Sequence, residues 1–208
     1  MLSIACSTFV AQAQYENAKQ VFESPKLTEA VKSHKLVAIL PFSCTMSYKK
    51  LPKNYSVEGN RDKEKAMATS IQSSMYTFLL RKAKNYTVDF QDVDKTNVLL
   101  KKAKMVDSLD NFTKDEIAKV LGVDAIIYGK YENEQSKSES GAIVTAVLFG
   151  GLGSKTGAGA LTMAINDGKS GDLLWRFFKS MNDSVFTSTD ELIDRMMRKV
   201  SRNFPYTK

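Results

Sequence analysis

A chain of 208 residues with 43% hydrophobic and 25% charged residues has the composition of an ordinary globular domain. After its first residues, no stretch supplies the roughly 20 apolar side chains that a membrane-crossing helix requires. Its two cysteines are too few for a thiolate metal cage, and its formal charge of +7 admits anionic partners without singling one out.

Residues 1–13 (MLSIACSTFVAQA) are uncharged, apolar from Leu2 to Val10, and end in Ala11-Gln12-Ala13, a small-x-small cleavage pattern. We read them as a secretory signal that lacks the usual basic start. A lipid-bearing Cys6 is disfavoured, because Ser3 stands where leucine is wanted and almost no apolar run precedes it. Cleavage leaves about 195 residues, enough for one sizeable core. Only Cys44 would survive it, so no intrachain disulfide is available. Export without disulfides fits a bacterial periplasm, and the expected location is periplasmic or outer-membrane-associated.

Residues 14–35 are polar, with a short helical pattern around Leu27, Ala30 and Val31, and are read as a lead-in to a single domain over 36–208. Leu36 to Phe42 (LVAILPF) has no polar interruption and predicts a strand covered on both faces, at the sheet centre. Residues 43–61 contain Pro52 and Gly59 and show no period, so they are read as a long structureless connection, a kind that is often functional. From Asp62 to Lys84 a helical stripe of Met67, Ile71, Met75, Phe78 and Leu79 faces a core. Tyr86 to Phe90 predicts a short strand, and Asp94 to Val106 another helix.

Thr113 and Glu116 form a capping box before Ile117 and Leu121, and Gly122 is placed as the C-terminal stop. That helix feeds a strand at Val123 to Tyr128. A hairpin follows from Ala160 to Phe178, turning at Asp167-Gly168-Lys169-Ser170-Gly171. A second capping box, Ser188 with Glu191, opens the last helix, which runs through Leu192, Ile193, Met196 and Val200 before Pro205. The class is therefore α/β: one mixed sheet with flanking helices, then a C-terminal β-hairpin followed by a helix.

Chemistry-bearing motifs are scarce. The single histidine, His34, and Cys44 flank the same apolar strand, and seven extended residues span roughly 23 Å, which sets a dyad between them aside. Gly150 to Gly159 (GGLGSKTGAG) resembles a phosphate loop, but Phe149 and Ser154 stand where its first and last glycines belong, and the next residues alternate like a strand. The carboxylate pairs Asp92/Asp94, Asp107/Asp110, Asp115/Glu116 and Asp190/Glu191 sit where helix starts and turns recruit acids for capping. No catalytic group, cofactor site or metal site is expected.

The glycine-rich insert at 140–159 carries an eleven-residue apolar core, AIVTAVLFGGL, too short to span a membrane as a helix. Its readings are a buried helix or glycine-rich flap, or else contact with a membrane or a second copy. Together with the connection at 43–61, it supplies the candidate partner contacts Tyr48, Tyr55, Val147, Leu148, Phe149 and Lys155.

The Leu121-Gly122-Val123-Asp124-Ala125 segment with Gly129 after it, and the hairpin carrying Asp167, Ser170-Gly171 and Leu174-Trp175, resemble an envelope α/β family. That family includes the curli-secretion CsgG proteins, the lipoprotein activators of peptidoglycan synthases and the amino-terminal domain of TolB. The resemblance covers most of residues 36–203. It implies a non-enzymatic envelope component that works by contact with a membrane complex, a cell-wall enzyme or itself, and it supplies no catalytic residues. Nothing in the chain looks like the paired membrane hairpins of the curli pore.

The function expected is that of an envelope assembly or accessory protein acting through protein contacts, with an envelope protein or a second copy as partner and peripheral membrane contact admitted. A polyanion-binding or nucleic-acid-binding module is the alternative, on the strength of the +7 charge, but the lysines are spread over many polar faces without interleaved arginines and aromatics. An unrecognised hydrolase ranks third.

Overall fold

The computed structural model describes residues 20–135, 159–181, 189–200 and 203–208. The signal-like start, the site of the Ser188 cap and the insert before Gly159 lie outside them. In chain order the strands are β1 (Gln20–Glu23), β2 (Leu36–Ile39), β3 (Ser43–Tyr48), β4 (Asp89–Phe90), β5 (Ala125–Gln135), β6 (Gly159–Asp167) and β7 (Leu173–Met181). The helices are α1 (Leu27–Ser33), α2 (Val57–Arg81), α3 (Val93–Lys102), α4 (Lys114–Leu121) and α5 (Thr189–Val200).

One mixed seven-stranded sheet runs β1-β7-β6-β5-β2-β4, with β3 pairing β5 off that path. The antiparallel β5-β6-β7 meander ends in β1, while β2, β3 and β4 join in parallel. Helices cover both faces. Val37, Ile39, Ile127, Met163, Trp175 and others on one face pack in a single cluster with the α2 residues Ile71, Met75 and Phe78 and the α5 residues Ile193 and Met196. On the other face, Ala38, Leu40 and Ile126 meet Leu100 of α3 and Ile117 and Leu121 of α4. The α/β reading of the sequence is what the chain adopts.

The apolar run at Leu36–Phe42 divides in two. Val37 to Ile39 pair with Ala125 to Ile127, and Ser43 to Tyr48 pair with Lys130 to Gln135, both along the same edge of β5. Four residue steps from Ile39 to Ser43 therefore face three from Ile127 to Lys130, so one extra residue is accommodated. Pro41 lacks the N–H a continuing ladder needs, and the break falls there. The strand is covered on both faces as expected, but it is not the sheet centre: β5 and β6 are, and β2 has only the two-residue β4 beyond it.

Other boundaries also move. Residues 43–61 are not a structureless connection, because β3 takes their first part and α2 begins at Val57, with the Ser56 hydroxyl accepting from Gly59 N at 3.0 Å. Within β3, Cys44, Met46 and Tyr48 point inward between exposed Ser43, Thr45 and Ser47, an alternation carried by small polar residues. The lead-in at 14–35 holds β1 as well as α1, and β1 closes the sheet against β7. The strand expected at Tyr86–Phe90 is reduced to Asp89–Phe90, with Tyr86 bridging to Thr207 instead. α2 ends at Arg81 and α3 at Lys102, earlier than the apolar spacing suggests. α4 has both marked ends: the Thr113–Glu116 capping box, and Gly122 in the left-handed region at φ 66°.

Candidate functional site

Of the six contact residues named from the sequence, the structure describes two and brings them together. Tyr48 at the end of β3 and Tyr55 in the following turn pack edge to face, with centroids 5.7 Å apart. Leu51 in the same turn and Val57, the first residue of α2, are 59% and 60% exposed, the largest exposures of any large apolar side chain described. Lys49, 3.8 Å from Glu134, ties the turn to the end of β5. Val147, Leu148, Phe149 and Lys155 lie outside the described residues.

The strand leading into this turn has an outer edge that α2 covers with polar side chains. The Met46 N–H donates to Glu64 Oε1 at 2.8 Å, and Asn60 Nδ2 donates to the Met46 carbonyl at 3.2 Å. Asn60 Nδ2 also donates to Glu64 Oε1 at 3.1 Å, leaving Asn60 Oδ1 buried without a partner. A charged carboxylate against the centre of an edge strand discourages another strand from pairing there.

The residues that could carry catalysis have other engagements. Burial, with Glu64 nearby, pushes the Cys44 thiol up to about 12, so it is not a thiolate near neutral pH. His34 is nowhere directed to it: Nε2 lies 3.0 Å from Asp167 Oδ1 and Nδ1 2.9 Å from the Tyr206 hydroxyl, all in the packed junction between β2, the hairpin turn and the chain end. Burial pushes the Tyr206 phenol well above its ordinary range, with Asp167 and Asp124 adding to the effect. Asp92 caps α3 by accepting from Lys95 N at 3.0 Å, as the capping reading requires. Among the described residues, no group of three or more histidines, cysteines or acids is placed to hold a metal ion. No described helix is long and apolar enough to cross a membrane.

A crevice that the sequence did not reveal opens at the carboxyl end of β2. It has a volume of about 670 Å³ and lies between α2, α3 and the connection to α4, with Lys65, Lys101 and Lys114 on its lining. These lysines come from three helices spread over fifty residues, so only the chain path gathers them.

No protein-family model matches the chain, and no curated protein does. Among solved structures it is similar to lipoprotein GNA1162 from Neisseria meningitidis, at 12% identity over 81% of this chain and 99% of that one, with a TM-score of 0.48. It is also similar to the C-terminal domain of LpoB from Salmonella enterica, at 11% identity over 76% and 93% of the two chains and a TM-score of 0.36. Dodecameric PelC from Paraburkholderia phytofirmans gives 10% identity over 92% and 99% of the chains and a TM-score of 0.37. At these identities and scores, none of them argues for an activity or a partner.

Proposed function

We propose that this chain is a non-enzymatic cell-envelope accessory protein that works by protein–protein contact through the turn between β3 and α2. The observation that carries the reading is the apolar and aromatic surface of that turn and of the first residue of α2. Tyr55, Leu51 and Val57 are all exposed within seven residues, beside the half-buried Tyr48. Single exposed apolar residues are ordinary on a protein surface, but a group of them with a packed tyrosine pair has the composition of a contact surface. The sequence resemblance to the envelope α/β family supports the location, as does the signal-like start, and the spent states of His34 and Cys44 support a non-enzymatic role.

Co-purification of the tagged protein from its native envelope tests the reading, with Leu51→Glu/Val57→Glu as the comparison. The expected result is an envelope protein that is retained by the wild type and lost by the double variant, with the melting temperature of both chains the same. Retention by both would place the contact elsewhere. Salt separates the polyanion alternative, since phosphate-type contacts weaken steeply with ionic strength and an apolar contact does not.

A further inference from the structure

We propose that the crevice at the carboxyl end of β2 binds a small amphiphilic anion, a carboxylate or phosphate head carried on an apolar body. The inference is independent of the aromatic turn, because it rests on a different surface and a different class of ligand.

The chain path makes the crevice. β2 and β4 are parallel neighbours, yet the chain leaves β2 through β3 into α2 on one face of the sheet and leaves β4 into α3 on the other. Where adjacent connections diverge to opposite faces, an open α/β sheet leaves a cleft outside the strand ends, and ligands bind there. Here the two helices are fastened below the cleft by a reciprocal amide pair. Gln72 Nε2 donates to Asn97 Oδ1 at 3.1 Å, and Asn97 Nδ2 returns to Gln72 Oε1 at 3.0 Å. Gln72 is fully buried, and its Nε2 also donates to the carbonyl of Ile39, the last residue of β2, at 2.7 Å. The base of the cleft is thus set before any ligand arrives.

Its lining defines the ligand. Leu40, Phe42, Ala68, Val106, Leu109 and Tyr128 give apolar wall, and the volume of about 670 Å³ falls within the range of small-molecule sites. Lys65 and Asp107 face each other from α2 and the α3–α4 connection at 3.2 Å, which cancels one charge of each sign. What remains on the lining is Lys101 and Lys114 against Asp110, an excess of one positive charge. The Lys114 ammonium sits 5.0 Å from the centre of the Tyr128 ring, held over an aromatic face. A bare inorganic anion fits poorly, because no glycine-rich loop lines the cleft and the N-terminus of α4 is already closed by its capping box. An apolar body against the wall, with one acidic head at Lys101 and Lys114, uses the whole lining.

Calorimetric titration of the full chain with decanoate and with decyl phosphate, each below its micelle concentration, tests this. At least one should bind saturably, at least tenfold more tightly than decanol or inorganic phosphate, and the better of the two identifies the head group. Thr69→Trp, which fills the cleft from an exposed position on α2, and Lys101→Glu, which reverses its charge, should each weaken that binding at least tenfold. Thermal melts identify any variant that does not fold, and the other then decides. Absence of saturable binding by both decyl anions, equal binding by wild type and folded variants, or binding of decanol or inorganic phosphate as tight as that of the anions would each overturn the proposal.

Discussion

His34 Nε2 lies 3.0 Å from Asp167 Oδ1, joining the second residue before β2 to the start of the hairpin turn across 133 positions of sequence. The ionised carboxylate can only accept, so the ring hydrogen sits on Nε2. Asp167 Oδ2 meanwhile accepts from Lys169 N at 3.0 Å and Ser170 N at 2.7 Å, closing the turn. Asp124, the residue before β5, makes the matching fastening, its Oδ2 accepting from Lys35 N and Leu36 N.

These two carboxylates give the fold an acid limit. Burial alone would raise Asp167, but hydrogen bonds from His34 and Ser170 overrule it and hold the group below its ordinary 3.8. Burial likewise opposes the lowering of Asp124, and the Leu36 and Lys35 amides prevail. A group whose folded value is depressed binds more protons when unfolded, so its stabilisation is full above 3.8 and is lost as pH falls through the lowered value. Asp167→Asn should cost about 1–3 kcal/mol at neutral pH and flatten the acid limb. Urea melts from pH 7 down to pH 2 measure both, and a variant with the wild-type pH dependence would show that Asp167 does not set it.

Gly129 is required by a ring. A Cβ there would lie 2.2 Å from Phe42 Cε1 and 2.6 Å from the Thr162 carbonyl oxygen, and the second of these cannot rotate away. Phe42 belongs to the main core cluster, so Gly129→Ala forces both the ring and the β5–β6 ladder to shift. We expect a loss of about 1–3 kcal/mol, read as a lower urea midpoint. Phe42→Ala/Gly129→Ala should recover part of the loss due to Gly129→Ala alone in a double-mutant cycle; strict additivity would remove the ring from the explanation.

Trp175 is fully buried, stacked on Phe177 at 6.1 Å and edge-on to Phe204 at the same distance. Phe177, Ile71 and Phe78 share its cluster, as the alternation of the strand predicts. Leu173 does not: the pairing register shifts between Ile165 and Asn166, and Leu173 stays half-buried outside both clusters. Trp175→Ala should cost about 3–5 kcal/mol by thermal or urea melting, through lost burial and a cavity. Leu173→Ala should cost much less, and equal losses would contradict the assignment.

What could be read from the chain depended on whether the signal was local. α4 was legible because both its ends carry capping chemistry, and the β6–β7 hairpin because turn residues separate two apolar runs. β1 was missed because only Val21 turns partly inward, and β3 because its inward residues alternate with serine and threonine in a stretch that also holds turn residues. Tyr48 and Tyr55 stand in a stretch whose sequence reads as lying outside regular structure, whereas Tyr48 ends a strand. The role of His34 and the gathering of Lys65, Lys101 and Lys114 were beyond reach, since each depends on crossovers that bring distant segments to one place.

Glu64 stands between this fold and an open sheet edge. Its carboxylate takes the Met46 N–H at 2.8 Å and positions Asn60, which donates to the Met46 carbonyl. Glu64→Ala removes the acceptor and the charge together, so the Met46 amide loses its partner and β3 presents an unblocked edge. The expected outcome is a destabilisation of about 1–3 kcal/mol, with a shift toward larger species than the wild type in light scattering after size exclusion. Glu64→Gln keeps an acceptor but not the charge, and should keep most of the stability while admitting some association. If the Ala variant elutes as the wild type does, the edge is protected by something other than this carboxylate, and the packing of α2 against β3 would be the place to look.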